Sequence, residues 1–389
     1  MVTALSVFVA PVAVLGQAPP LSFGGGIGAV SEPGGSFSFG VRFSGSTSVK
    51  FSGLGTLTST LDSGDLTSVM LRNYHDGTVR LDQRAGAGSQ AQIDDGFTDT
   101  WGFVFPEQAS ADGQSINFHT YSTLGEDTVI ESDSSGLPGV DLELGWRIAG
   151  YGKRLPDTRR SGSWGVTLGF GVTDINAKTR ENITATLQTL TDSYSVDGAF
   201  IPIIENVSPP YSSPSSKTVT IVNDDGTTST ISLDTSILLS NRPVTRTITS
   251  EPGAADIEGY WQIKGAAGTM RAGVWTRFYA TRRLSLRASA GVSYSVLGYK
   301  MKYDERLFMQ DRMIDELRET DESTSESHGV FGYYGSVDLE FWFTSKTGLF
   351  VSAVHEGSSS DLEIELGGRR AEIDVSGGTG FRFGITTMF

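Results

Sequence analysis

The chain has 389 residues, with 48 Gly, 21 Phe and 12 Tyr among them, a composition that favours strands and turns over helices. With 38% hydrophobic residues it has no run near the roughly 20 apolar residues of a membrane helix, although a barrel needs only every second residue apolar. The lack of cysteine excludes disulfides, thiolate metal sites and cysteine catalysis, and a formal charge of −15 argues against nucleic acid as a partner.

Residues 1–18 open on an apolar, uncharged stretch that ends in small residues and read as a secretory signal, with cleavage after Gly16 or Ala18; no basic residue precedes Arg42. Export through an oxidising compartment also suits a chain without thiols. The glycine-rich residues 23–28 are not a nucleotide fingerprint, because no strand precedes them and no helix follows. Residues 19–389 then form the mature protein.

Phe37, Phe39, Val41 and Phe43 alternate with Ser38, Gly40 and Arg42 as a first strand. Residues 45–138 form a long connection, too long to be structureless, with strand-like pieces at 69–73, 78–82, 101–105 and 116–121 and a turn at His75, Asp76 and Gly77. Val140, Leu142, Leu144, Trp146 and Ile148 oppose Asp141, Glu143, Gly145 and Arg147. After a shorter connection at 152–162, Trp164, Val166, Leu168, Phe170 and Val172 oppose glycines and threonines. Residues 178–256 are a second long connection, containing a Ser/Pro linker at 208–216 and a hairpin over 218–233 turning at Asp224, Asp225 and Gly226.

In residues 257–280 the parity changes: Ile257, Trp261 and Ile263 share one, while Ala272, Val274, Thr276, Phe278 and Ala280 share the other. A bulge at 265–268 within one strand accounts for this; a turn there makes two strands instead. After a short turn at 281–283, Leu284, Leu286, Ala288, Ala290, Val292, Tyr294 and Val296 oppose Ser285, Arg287, Ser289 and Gly291. Residues 302–329 are a long connection holding the one expected helix, at 304–321, packed through Leu307, Met313, Ile314 and Leu317. Phe331, Tyr333, Gly335, Val337, Leu339, Phe341 and Phe343 then oppose Tyr334, Ser336, Asp338, Glu340 and Trp342. A turn at 344–347 leads to Leu349, Val351, Ala353 and His355, and a long connection at 357–376 to a last strand with Thr379, Phe381, Phe383, Ile385, Thr387 and Phe389 opposite Arg382.

These runs reach the roughly 9 to 11 residues of a tilted membrane strand, where globular strands average about 5 to 6. Short and long connections alternate as in outer-membrane barrels. The expected fold is all-β: a closed, antiparallel, up-and-down transmembrane β-barrel of eight strands, ten or twelve if residues 257–280 hold a turn. Both ends lie on the short-turn, periplasmic side and the long loops are extracellular.

The polar parity puts Arg42, Asp141, Glu143, Arg147, Arg271, Arg277, Arg287, Asp338, Glu340 and Arg382 inside, in a lumen that side chains just fill. Charges there must be paired. Arg287 is expected to meet Glu340 across neighbouring strands, and Asp141 and Glu143 to answer Arg42 or Arg147. The result is a plugged lumen, with a polar pore for small solutes as the alternative.

For catalysis the sharpest candidate is His355 with Ser358, followed by Glu363 and Glu365. This resembles the lipid A deacylases only in part, because that family sets His and Ser two residues apart and here the spacing is three; no enzyme is expected. The acidic residues Asp311, Asp315, Glu316, Glu319, Asp321, Glu322 and Glu326 lack EF-hand spacing and read as solvated loop charge, so no metal or cofactor is expected.

With these strands and loops, the chain resembles the small Gram-negative outer-membrane barrels of the OmpA transmembrane-domain and OmpX-like type. The resemblance implies that Phe381, Phe383 and Phe389 form the recognition signal for the barrel assembly machinery, after escort by periplasmic chaperones. It further implies contact with outer-membrane lipid and lipopolysaccharide, and a non-enzymatic role in which the loops meet an unidentified extracellular ligand or support the envelope. A small-solute channel and, third, a lipid-modifying enzyme are the rivals.

Overall fold

The computed structural model describes residues 34–43, 47–61, 64–84, 95–134, 138–151, 161–197, 210–214, 216–222, 228–234, 236–281, 283–309, 312–323, 325–358, 361–374 and 378–389. The signal expected at 1–18, the glycines at 23–28, part of the 208–216 linker and the turn at 224–226 lie outside these residues. Eight of the described strands carry the barrel: β1 (Gly35–Phe43), β2 (Pro138–Tyr151), β3 (Gly162–Ser195), β4 (Thr245–Tyr279), β5 (Leu284–Met309), β6 (Glu326–Trp342), β7 (Thr347–Ser358) and β8 (Gly378–Met388). Each pairs antiparallel with the next. β8 pairs back onto β1, from Ser36 opposite Met388 to Phe43 opposite Phe381, so the ring has no open edge.

Period-two alternation makes these strands, and the sign of the alternation makes them transmembrane. Around the ring the outward side chains are apolar, for example Phe39, Leu144, Leu168, Val274, Val292, Leu339, Val351 and Phe383, all solvent-facing in the isolated chain. On β5 the outward row from Leu286 to Val296 covers ten residue steps, about 34 Å along the strand and about 26 Å after a tilt near 40°, which matches the apolar band of a barrel. In water such a surface would drive aggregation; in lipid it is the solvated face.

Above this belt the strands do not stop. β3 and β4 remain paired from Gly162 opposite Phe278 up to Ser193 opposite Thr245. Much of the expected loop 178–256 is therefore regular strand. The bulge expected at 265–268 is absent: β4 runs in unbroken register with both neighbours through these residues. From Tyr279 to Ala255 the odd-numbered side chains of β4 point inward, through Arg277, Trp275 and Arg271 to Ile263, Trp261 and Ile257. What changes is the medium. In the belt the outside is lipid and the inside polar; above it the outside is water, so the same inward parity becomes apolar. Both patterns are faithful to one geometry, and the change of hydrophobic parity that resembled a bulge marks the membrane boundary.

The other half of the ring has a matching upper storey. Short strands at Thr47–Ser52, Ile130–Ser134, Leu362–Leu366 and Arg369–Ile373 continue β1, β2, β7 and β8 and pair in the same order, 362–366 to 369–373 to 47–52 to 130–134. They join the tall wall where Ser132 Oγ donates to the Lys178 carbonyl (3.1 Å) and Asn176 N–H donates to Ser134 Oγ (3.1 Å). Between the two walls lies an apolar core that includes Val49, Phe51, Leu54, Ile175, Ile257, Trp261, Ile263, Met301, Leu307, Leu317, Ile364 and Ile373.

The helix expected at 304–321 is replaced by two strands. Residues 304–309 complete β5, and Arg312–Glu322 folds back on it, Lys302 opposite Glu322 to Met309 opposite Arg312. Leu, Met, Arg and Glu favour helix by a few tenths of a kcal/mol each. Here Met301, Tyr303, Glu305 and Leu307 extend the inward row of β5 into the apolar core, and that burial outweighs propensity.

A cap stands on the far end. A four-stranded sheet in the order Tyr211–Ser212, Trp101–Phe103, Gly77–Val79, Arg72–Tyr74 packs through Tyr74, Val79, Trp101 and Phe103 on Ile116, Phe118, Tyr194 and Leu239. The hairpin of Ser216–Val222 with Thr228–Asp234 projects separately. Strand Ser115–Gly125 pairs with the top of β3, next to β4. At the seam Asp192, fully buried, accepts from Tyr74 Oη (2.6 Å) and from Arg246 Nε and Nη2 (2.6 Å each). Burial pushes the Tyr194 hydroxyl up to about 12 and holds Tyr74 higher still, so both remain protonated and 2.8 Å apart. Asp192→Ala strands a part-buried cation and two buried phenols; the expected loss is about 3 to 5 kcal/mol, confined to the cap. Faster amide exchange at 72–79 and 115–119, with exchange in β5–β8 unchanged, is the expected readout.

Candidate functional site: the charge-filled lumen

Within the belt the inward row carries the charge. Among the described residues five arginines (Arg42, Arg271, Arg277, Arg287, Arg382) and five carboxylates (Asp141, Glu143, Asp338, Glu340, Glu356) line the lumen and join in ion pairs. The set is formally neutral. That balance is what an interior of low dielectric demands, because an unpaired charge there costs several kcal/mol.

Arg382, from β8, is the centre. Its Nη1 donates to Asp141 (2.9 Å) and Glu143 (3.0 Å) on β2, and its Nη2 to Asp338 (3.1 Å) on β6. One planar fork thus ties three strands across the lumen, a geometry that a point-like ammonium lacks. Asp141 also binds Arg271 of β4, and Glu143 binds Arg287 of β5. Glu356 of β7 takes a bidentate pair from Arg42 (2.9 and 2.5 Å) and lies 3.5 Å from Arg271. Nearer the short-turn end, Arg277 pairs with Glu340 (2.8 Å), which also accepts from Ser285 Oγ (2.6 Å).

Aromatic rings fill what the charges leave. Arg277 stacks over Trp275 (5.2 Å) and Trp342 (5.4 Å), and Arg287 also lies over Trp275 (5.2 Å). Arg271 lies over Tyr334 and Arg382 over Phe350. Hydroxyl pairs, Ser289 with Ser336 (2.7 Å) and Ser38 with Thr386 (3.0 Å), close the wall. At the short-turn mouth, a hollow of about 10 Å³ lies among Ser36, Arg147, Ser163, Trp275 and Arg277. At the other end the apolar upper core sits directly above.

The pairings differ from those expected. Arg287 does not meet Glu340: in register it faces Asp338, while Glu340 faces Ser285, and Arg287 reaches Glu143 instead. Asp141 and Glu143 answer Arg271, Arg287 and Arg382 rather than Arg42 or Arg147. In a barrel this narrow a long arginine reaches across the lumen as easily as to the next strand, so strand adjacency alone does not choose its partner. Arg147 is half-buried at the short-turn mouth, beside the irregularity where β2 meets Trp164 and Gly165 of β3, outside the ten-residue network. Glu356 was missed. Its signal was parity: it follows Ser352 and Val354 on the inward row of β7, opposite His355.

His355 itself faces outward, with Nδ1 3.3 Å from Thr379 Oγ1 and its ring 6.1 Å from Tyr333, while Glu356 turns into the lumen. Glu363 and Glu365 point outward from the upper storey, and Glu363 pairs with Arg370 (2.7 Å). Of the acidic run, Glu319 binds Arg369 (2.5 Å) and Glu322 lies 3.6 Å from Lys300; no group of metal-binding side chains occurs among the described residues. Phe381, Phe383 and Phe389 are exposed on the outer face of the seam strand, and the backbone of Phe389 exchanges both hydrogen bonds with Gly35 (3.1 and 3.0 Å).

No protein-family model and no curated protein matches the chain. Among solved structures it is similar to the outer membrane protein OprG of Pseudomonas aeruginosa, at 10% identity and TM-score 0.27, covering 92% of this chain and 97% of that one. The outer membrane protease OmpT of Escherichia coli matches at 9% identity and TM-score 0.28, over 93% and 99% of the two chains. A Pseudomonas aeruginosa FadL homologue matches at 9% identity and TM-score 0.16, over 91% and 90%.

Proposed function

We propose that this protein is an outer-membrane barrel whose lumen is closed, and that it works without catalysis as a rigid stem carrying its upper storey and cap into the extracellular space for surface contact. The observation that supports this most is the neutral ten-residue lumen network beneath an apolar core. A conducting pore needs a continuous aqueous path, and paired charges in the belt beneath buried apolar side chains disfavour one. In this reading both barrel termini are periplasmic, Phe381, Phe383 and Phe389 address the chain to the assembly machinery, and the partner at the cap is an extracellular ligand. The expected result in planar bilayers is an absence of steady single-channel steps from the purified, heat-modifiable barrel. Steps whose conductance changes in Arg277→Ala or Glu340→Ala would establish the small-solute channel instead.

A further inference from the structure

The tall wall ends in a strand paired on one side. β5 pairs with β4 no higher than Phe308 opposite Asp256 and folds back after Met309. Thr245–Ala255 of β4 therefore has β3 on one side and, among the described residues, no strand on the other. β3 is interior at this height, between β4 and Ser115–Gly125, so the free edge belongs to β4. Residues 247–251 are exposed on both faces, and Ile248 (67%) and Val244 (63%) are the most exposed large apolar side chains described above the belt. From Asp174, the first charged residue on the outward row of β3, to Leu190, the partner of Ile248, the wall rises about 50 Å along the strand and about 40 Å after a tilt near 40°.

Free edges recruit further strands through their N–H and C=O groups, and proteins blunt them with lysine, proline or a covering loop. Thr245–Glu251 contains neither lysine nor proline; Pro252 comes where the register with β3 shifts. Its one cation, Arg246, is committed to Asp192. Orientation supplies the protection instead. Antiparallel neighbours of identical sequence are related by a two-fold axis perpendicular to their sheet, and on this wall that axis lies parallel to the membrane. It turns the second barrel upside down. Copies in one membrane all rise the same way, so their edges meet only in parallel, with Arg246 beside Arg246 and Glu251 beside Glu251, which like charge disfavours. Copies in two facing membranes have no such conflict.

We infer that the free edge of β4 binds the same edge of a second copy of this chain projecting from a facing membrane, in an antiparallel contact centred on Ile248. In that register Ile248 meets Ile248, Thr247 meets Thr249, Arg246 meets Ser250 and Thr245 meets Glu251, so apolar and hydroxyl side chains face their own kind and no like charges are opposed. The inference names the partner for the surface contact proposed above and rests on that reading. A single strand pair of this length is weak, and many in parallel carry the contact. The test is tethering of zwitterionic lipid vesicles densely loaded with full-length protein, followed as growth in particle size by light scattering. Wild-type vesicles are expected to tether. Ile248→Lys and Ile248→Glu each oppose like charges across the two-fold axis, so either variant alone should tether at least about tenfold more slowly. Vesicles of one variant mixed with those of the other should recover the wild-type rate to within about threefold, and added salt should weaken that recovery. Ile231→Lys, on the separately projecting hairpin, should behave as wild type. Absence of tethering by folded wild-type protein, tethering retained in Ile248→Lys, no recovery on mixing, or an equal loss in Ile231→Lys would overturn the proposal. Heat-modifiable mobility and planar-bilayer recordings on the same preparations report the membrane stem and its closed lumen separately, so failure of that reading is distinguished from failure of this contact.

Discussion

Arg382→Ala is expected to destabilise the barrel by about 3 to 5 kcal/mol, because it leaves a buried negative charge that no other group offsets. The three carboxylates it bridges are not equally exposed to that loss. Asp141 retains Arg271 and Glu143 retains Arg287, but among the described cations Asp338 keeps Arg287 alone, at 4.0 Å. The damage should therefore concentrate on β6. Arg382→Lys should recover only part of the loss, since one ammonium cannot span Asp141, Glu143 and Asp338 on opposite walls. Arg382→Met with Asp338→Asn restores neutrality and should recover more than half, as removal of a whole buried pair is milder than breaking one. Urea unfolding in lipid vesicles, followed by tryptophan fluorescence and heat-modifiable mobility, gives the comparison. If the double variant is no more stable than Arg382→Ala, the charges are not acting as one network.

Much of this site can be read from alternation alone, because within the belt a single parity separates lipid from lumen. Asp141, Glu143, Arg277, Arg287, Asp338, Glu340 and Arg382 all fall on the inward row by counting in twos. Pairing could not be read that way. Which arginine meets which carboxylate depends on strand stagger and on reach across the lumen, and neither is local in sequence. The upper storey was hidden for a different reason. A reader who takes apolar as outward loses the strand at the membrane boundary, where apolar becomes inward, and so residues 178–195 and 245–256 look like loop. The same inversion concealed the strand character of 304–309, and an ordinary run of helix-forming residues supplied a false alternative. Glycines at 265 and 268 look like a bulge, yet they lie near the edge of the belt; at Gly265 a side-chain carbon would fall within 2.2 Å of the Gly298 carbonyl on β5, so close strand approach explains that position.

The inverted parity also sets an expectation for the upper storey, where an inward charge is an exception and not the rule. Glu305, fully buried, and its partner Arg369, nearly so, are such exceptions. Glu305 accepts from Trp261 Nε1 (2.7 Å), from Gly55 N–H (3.2 Å) and from Arg369 (2.8 Å), which in turn donates to the Thr56 and Gly367 carbonyls (2.6 and 2.7 Å) and lies over the Tyr303 ring. One carboxylate therefore holds the loop at 53–57, the tall wall and the 366–369 turn together. Burial alone would disfavour the Arg369 cation, but Glu305 and Glu319 keep its affinity for the proton above the usual arginine range. Glu305→Ala should cost the upper storey about 3 to 5 kcal/mol by isolating Arg369 in a largely apolar core with only the half-exposed Glu319. Glu305→Gln keeps an acceptor for Trp261 and should be milder by about 1 to 3 kcal/mol, the cost of one buried donor left unmade. Both effects should stay above the belt. Amide exchange at 53–57 and 362–373 should rise in the order wild type, Gln, Ala, while β6–β8 within the belt and heat-modifiable mobility remain unchanged. Loss of the whole barrel in Glu305→Gln would show that the two storeys fold as one unit, and that the lumen network needs the apolar core above it to form.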